Sequence, residues 1–255
     1  TAQAHVKKPN RRDLVLMEAA GGSSIAGTFT KNAFCAAPVT LCKGNLQALS
    51  GYSENPILLI TNTGYANAGT GEKGLTNAKA VCSALAEHTG SVQSNVFPFS
   101  TGVIGEPLPV ERIVKGLPDC IASLSEQGWD DAAHGIMTTD TRPKGVSVQL
   151  ELAGSTVTIS GISKGAGMIK PNMATMLGYV ATDAKVAPEL LQRLASEATQ
   201  ASFNSITVDS DTSTSDTLLL AATGQSDAAS PKGATLKAFE AALAGVMLDL
   251  AHQVI

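Results

Sequence analysis

Thr175 stands where a loop rich in Gly, Pro and Asn, S-K-G-A-G-M-I-K-P-N-M-A, meets the apolar run M-L-G-Y-V-A-T. A hydroxyl at the mouth of a strand is open to solutes while its backbone is held. A Thr hydroxyl is not ionised near neutral pH and is by itself a weak nucleophile. It becomes a good one as the first residue of a chain, where its own α-amine, with a pKa of about 8, takes up the hydroxyl proton. That requires a break after Ala174. The small Ala174 and the permissive loop before it let Thr175 Oγ reach the preceding carbonyl, so an N-to-O acyl shift and hydrolysis would free the amine. The chemistry of such a site is acyl transfer. The competing reading is a structural Thr at a strand start.

Other segments hold groups that could serve the same chemistry. Lys164 lies eleven residues before Thr175 in a second Gly-rich turn. It would lower the pKa of a neighbouring amine or hold a carboxylate; otherwise it is a solvated surface Lys. Thr101-Gly102 ends the strand-like run in F-S-T-G-V-I-G. There a Gly lets a backbone N–H face an incoming oxyanion, with the Thr hydroxyl as a second donor. An ordinary strand-to-loop turn is the alternative. Gly64 to Gly74 sets glycines before a helix, as phosphate loops do, but has neither G-x-x-x-x-G-K-[ST] nor G-x-G-x-x-G. Asn62 and Asn67 are expected to brace that loop. Asp209-Ser-Asp211 resembles the D-x-D nucleophile of aspartyl-phosphate phosphatases. As a calcium loop it fails, because Thr214 falls where Gly is needed and Leu220 where Glu is needed. A polar turn closed by its own Asp, Ser and Thr side chains is the plain reading.

These groups need a scaffold, and the sequence predicts a layered α/β or α+β one. Strand-like runs are Asp13–Glu18, Ile25–Phe29, the ILLITN run after Pro56, Val96–Ser100, Met176–Thr182, Ser205–Val208 and Thr217–Ala222. Val146–Leu152 and Thr156–Ile162 alternate with period two around Gly154 and predict a hairpin. Helices are predicted over 75–88, 110–126, 189–200 and 234–254. The 255 residues are 44% hydrophobic and 16% charged, enough apolar content for a full core, with aromatics at only 4%. Ala, Val, Leu and Ile must therefore build it. The net charge of −4 argues against nucleic acid as a partner. Cys35, Cys42, Cys82 and Cys120 form no C-x-x-C pair, and the four His are scattered, so no structural metal site is expected. Reduced cysteines, no secretory leader and no membrane-length apolar run predict a cytoplasmic protein. The last helix runs apolar to Ile255, and a further C-terminal segment is expected beyond it.

Five segments, in order, resemble the ornithine acetyltransferase family, the bifunctional glutamate N-acetyltransferases of arginine biosynthesis. They are ITNTGYANAGTG (60–71), STGVIG (100–105), IMTTDTRPK (136–144), KGAGMIKPNMATMLGYVATDA (164–184) and FNSITVDSDTSTSDT (203–217). The resemblance implies a precursor that cleaves itself between Ala174 and Thr175. It implies that Thr175 then carries the acetyl group from N2-acetylornithine to glutamate. It assigns Thr101 and Gly102 to an oxyanion hole and Thr138, Lys164 and Thr175 to substrate contacts. It implies a four-layer α/β/β/α sandwich like that of N-terminal-nucleophile hydrolases, and no cofactor, although some members accept acetyl-CoA as donor. It divides the chain into an α chain, 1–174, and the first part of a β chain, 175–255, assembled as α2β2. Family chains continue past the position of Ile255, and the remainder supplies further substrate contacts. A Thr-nucleophile aminopeptidase or amidase, and a non-catalytic fragment needing a partner chain, are the alternatives.

Overall fold

The computed structural model describes residues 1–7, 9–49, 51–167, 176–209 and 213–255. Its strands are β1 (Leu14–Ala19), β2 (Ser24–Phe29), β3 (Ile57–Tyr65), β4 (Val96–Val103), β5 (Lys144–Leu152), β6 (Ser155–Lys164), β7 (Leu177–Thr182) and β8 (Thr217–Ala222). Its helices are α1 (Ala37–Ala48), α2 (Gly71–Thr89), α3 (Val110–Ala122), α4 (Trp129–Gly135), α5 (Pro188–Ala201) and α6 (Gly233–Val254). Among the described residues the strands form two sheets, ordered β1-β3-β4 and β2-β8-β7-β6-β5. The pairs β3·β4 and β7·β8 are parallel and the rest antiparallel.

The layers follow from the two-residue period of a strand. In the first sheet Leu14, Leu16, Leu58 and Ile60 point outward to Val81 and Leu85 of α2 and Ile113 and Leu117 of α3. Their neighbours Val15, Ile57 and Leu59 point inward, with Phe97 and Phe99, onto Leu177, Tyr179, Leu219 and Ala221 of the second sheet. The alternate residues of that sheet, Val157, Ile159, Val180, Leu218 and Leu220, pack on α5 and α6. The result is the expected α/β/β/α sandwich. Small residues let the layers approach: a Cβ at Gly161 of β6 would lie 2.8 Å from Leu250 Cδ1 of α6. Between the sheets, Thr61 and Tyr179 share a 2.8 Å hydrogen bond, and the Tyr179 ring meets Phe99 edge-on at 5.2 Å.

The β5–β6 hairpin turns at Ala153-Gly154, both with positive φ, as a tight two-residue turn requires. Helices α1 and α4 are not evident in the sequence. They fill the flanks between the sheets, α1 against β4 and β2, α4 against β1 and β6. Ser205–Val208 is not a strand: Phe203–Ser205 is a single 3-10 turn, and 206–209 lie outside any strand. Only Ile206 there is buried while Val208 is exposed, so the run has no face to bury. The third helix stops at Ala122 rather than near 126. All four cysteines are free thiols. No helix among the described residues is long and apolar enough to cross a membrane.

Tyr179→Phe leaves the Thr61 hydroxyl buried without its partner. It should destabilise the protein by about 1–3 kcal/mol, read from the urea midpoint at unchanged slope; an unchanged midpoint would show that the inter-sheet bond contributes nothing.

Candidate active site

The ends of both sheets meet at one end of the sandwich. Lys164 is the last residue of β6 and sits opposite Leu177, the first of β7. Leu177 in turn sits beside Thr217, the first of β8. From the first sheet, Thr101 lies near the end of β4. The Lys164 side chain spans from one sheet to the other. Its Nζ donates to Thr101 Oγ1 at 2.8 Å and to Thr138 Oγ1 at 3.3 Å.

Lys164 is only 2% exposed. It has no direct ion pair among the described residues, although Asp140 and Asp216 act on it through space. Burial therefore dominates and lowers its pKa from 10.5 to about 8, against the pull of the two carboxylates. Asp140 supports the arrangement from behind. Its carboxylate pairs with Lys144 and accepts the N–H groups of Gly165 at 2.7 Å and Thr138 at 3.1 Å. Burial alone would raise the Asp140 pKa, but Lys144, these N–H groups and Lys164 together hold it below its ordinary value.

A second buried carboxylate lies at the start of β8. Asp216 Oδ1 accepts the Met176 N–H at 2.8 Å, and the Asp216 carbonyl accepts the Thr30 N–H at 2.9 Å. Its Oδ2 is buried and has no hydrogen-bond partner among the described residues. Burial raises the Asp216 pKa to about 7, opposed by the Met176 N–H and the nearby Ser213 and Lys164.

Gly102 fixes the other side of the site. Its φ is +139°, and a Cβ there would lie 2.2 Å from Gly64 C and 2.5 Å from Gly64 O on β3. No other residue fits this crossing of parallel strands. The Gly-rich loop after β3 is braced as its asparagines suggested. Ser100 Oγ donates to Asn62 Oδ1 at 2.6 Å, Asn62 Nδ2 to the Tyr65 carbonyl at 3.0 Å, and Asn67 Nδ2 to the Gly74 carbonyl at 2.9 Å.

Of the residues singled out from sequence, Thr101, Gly102, Thr138 and Lys164 come together at this end. Ala174 and Thr175 lie outside the described residues; Met176, bonded to Thr175, lies inside them, against Asp216. Asp211 is also outside, and Asp209 is exposed in a turn that Thr207 closes onto its carbonyl at 2.9 Å. Among the described residues no group of three or more His, Cys, Asp or Glu could hold a metal. Asp140, Lys144 and Asp216 were not singled out, although all three lie in the quoted segments. Chemically, a Lys164 ammonium bonded to Thr101 Oγ1 polarises that hydroxyl and leaves its own hydrogen to donate elsewhere.

Two sheets packed between helices define an α/β/β/α sandwich. The fold is similar to that of the l-aminopeptidase d-ala-esterase/amidase of Ochrobactrum anthropi, described as a variant of the Ntn hydrolase fold. The TM-score is 0.55 and the identity 12%, over 98% of this chain and 80% of that one. The family is narrower: the ArgJ family model matches residues 1–255, and the chain belongs to the ArgJ family. It is 52% identical over 257 residues to an arginine biosynthesis bifunctional protein ArgJ of Pseudomonas syringae pv. tomato, covering 100% of this chain and 62% of that protein. The chain thus spans less than two thirds of that relative. It is also similar to the crystal structure of an arginine biosynthesis bifunctional protein from Bacillus halodurans, with TM-score 0.56, 34% identity, and 68% and 87% of the two chains covered.

The Lys164 charge should be visible in stability. A Lys whose folded pKa is about 8, below its unfolded 10.5, disfavours the fold at pH below 8. Above 8 the unfolded chain binds the extra proton, so stability rises with pH. The rise attributable to this one group is at most about 3 kcal/mol. Comparing urea unfolding of the natural protein and Lys164→Met at about pH 7 and about pH 10 isolates it, since other titrations cancel. The natural protein should gain on the variant at the higher pH; an equal gap at both would contradict the buried, proton-shedding Lys.

Proposed function

We propose that this protein is a self-cleaving acetyltransferase of arginine biosynthesis, moving acetyl from N2-acetylornithine to glutamate through an acetyl-Thr175 intermediate. The observation that carries this reading is the Lys164 ammonium, buried and bonded to the Thr101 and Thr138 hydroxyls beside the strand where K-P-N-M-A-T ends. Cleavage after Ala174 gives an α chain, 1–174, and a β chain whose first part is 175–255. The freed Thr175 amine takes the hydroxyl proton, and Oγ attacks the acetyl carbonyl of the donor. The carbonyl oxygen becomes an oxyanion, which the Thr101 hydroxyl and the Gly102 N–H receive. Ornithine leaves with a proton, and glutamate repeats the sequence in reverse to collect the acetyl group.

The same pocket must accept two different amino acids in turn. N2-acetylornithine and glutamate share an α-carboxylate. Lys164 has three donors, of which two are used among the described residues, and we assign the third to that common group. Thr138, held by Asp140 through its N–H, supplies the neighbouring contact. The acetyl group rides on Thr175, and the chemistry requires no prosthetic group; acetyl-CoA, where accepted, would be an alternative donor substrate. We place the reaction in the cytoplasm, in an α2β2 assembly.

N-terminal sequencing of the purified natural protein should yield a second chain beginning Thr175-Met176-Leu177-Gly178. Thr175→Ala should give one uncut chain, with acetyl transfer reduced by at least about a thousandfold. An uncut natural protein that still transfers acetyl, or acetate release independent of glutamate, would overturn the reading.

A further inference from the structure

A buried ammonium that receives a carboxylate must meet two requirements. It must be held against its hydroxyl partners, and it must stay charged although burial favours its neutral form. Thr101 is held by β4. Thr138 belongs to no helix or strand; it lies in the loop between α4 and β5. Some other group must fix that loop to the end of β6.

One carboxylate does so. Asp140 Oδ2 accepts the Thr138 N–H at 3.1 Å, and its Oδ1 accepts the Gly165 N–H at 2.7 Å. The first bond holds the residue whose hydroxyl accepts from Lys164. The second holds the peptide that follows Lys164 itself. Both partners of the 3.3 Å contact between Lys164 and Thr138 are therefore tied to the same group. Asp140 is anchored in turn by Lys144, the first residue of β5, which pairs with it and sits opposite Ser163 in the β5·β6 ladder. The Asp140 and Lys144 side chains are 0% and 5% exposed, so their charges are little screened by solvent.

We propose that Asp140 and Lys144 are a positioning pair for acetyl transfer, Asp140 clamping Lys164 to Thr138 and Lys144 holding Asp140 in place behind them. This rests on the acetyltransferase reading above, in which the Lys164 ammonium takes the α-carboxylate of N2-acetylornithine. The clamp also carries charge. Among the described residues, the ionised groups that act on Lys164 are Asp140 from the loop before β5, Asp216 from the start of β8 and Lys144 from β5. Asp140 is the stronger of the two favourable influences, and Lys144 opposes both. Removing Asp140 therefore makes the ammonium easier to deprotonate, and removing Lys144 makes it harder. Side chains that only filled space would do neither.

The test is the KM of the full-length natural protein for N2-acetylornithine between about pH 6 and about pH 9, beside Lys144→Met and the double variant Asp140→Asn/Lys144→Met. The double variant is preferred to Asp140→Asn alone, which would leave the Lys144 charge buried without its partner. The natural KM should rise above about pH 8, as Lys164 loses its proton. With the variants folded by thermal melting, that rise should come at higher pH in Lys144→Met and at lower pH in the double variant. The two variants differ only at residue 140, and the ratio of their KM values should grow at least about fivefold between about pH 6 and about pH 8.5. A constant ratio, or a natural KM that is flat over the range, would overturn the proposal. Where the double variant fails to fold, Lys144→Met decides: a rise displaced upward supports the proposal, and a rise at the natural pH overturns it. A natural protein that turns over no N2-acetylornithine at any pH would instead overturn the acetyltransferase reading itself.

Discussion

The structure is organised around one expensive group, the ammonium of Lys164, taken out of water without a carboxylate in direct contact among the described residues. An isolated buried charge disfavours the folded state by several kcal/mol unless its surroundings supply compensation. The compensation comes from three directions. Thr101 arrives from the first sheet and Thr138 from the segment before β5, each offering an oxygen. Asp140 and Asp216 act through space from either side. None of these could be placed without both sheets in register. The site is therefore a property of the packed sandwich and not of any single loop.

The charges at this end alternate: Lys144, Asp140, Lys164, Asp216. Only the first two are in direct contact. The consequence is a division of labour set by distance. The paired Asp140 stays ionised and structural. The unpaired Asp216 and Lys164 are driven toward neutrality, to about 7 and about 8. Lys164 pulls the Asp216 pKa down and Asp216 pulls that of Lys164 up, so a change at either group is felt at the other. That is a useful state for machinery that must move protons at neutral pH, and a poor one for maximal stability.

Much of this was legible in the sequence, and the exceptions have physical reasons. The inner and outer faces of β1, β3 and β8 are written in adjacent residues, so a layered α/β protein could be read from the pattern, while its four layers came from the family resemblance. The first and fourth helices could not. Helix α1 buries only Pro38, Val39 and Cys42 and carries little amphipathic signal. The run Ser205–Val208 misled because β-propensity without an inward face does not make a strand. Thr101, Gly102, Thr138 and Lys164 were found because their neighbours form recognisable segments. Asp140 and Lys144, four apart, look in sequence like a solvated pair. Asp216 lies at the end of a polar run in which Asp209 and Asp211 drew the eye. Burial is what distinguishes it, and burial is decided by residues far away in the chain.

The order β2-β8-β7-β6-β5 carries a further consequence. A break after Ala174 would leave β2, β5 and β6 on one polypeptide and β7 and β8 on the other. The second sheet would then be a composite, with the two strands of the new chain clasped between strands of the old one. Both borders are continuous antiparallel ladders, β2·β8 and β6·β7. Nothing would fall apart on cleavage. Yet a molecule that first folds as one thread would, once cut and denatured, have to find its way back as two, and its recovery would depend on concentration where the precursor's did not. Cleavage in this topology converts a unimolecular fold into an obligate complex, and the maturation of the site also removes the molecule's route of return.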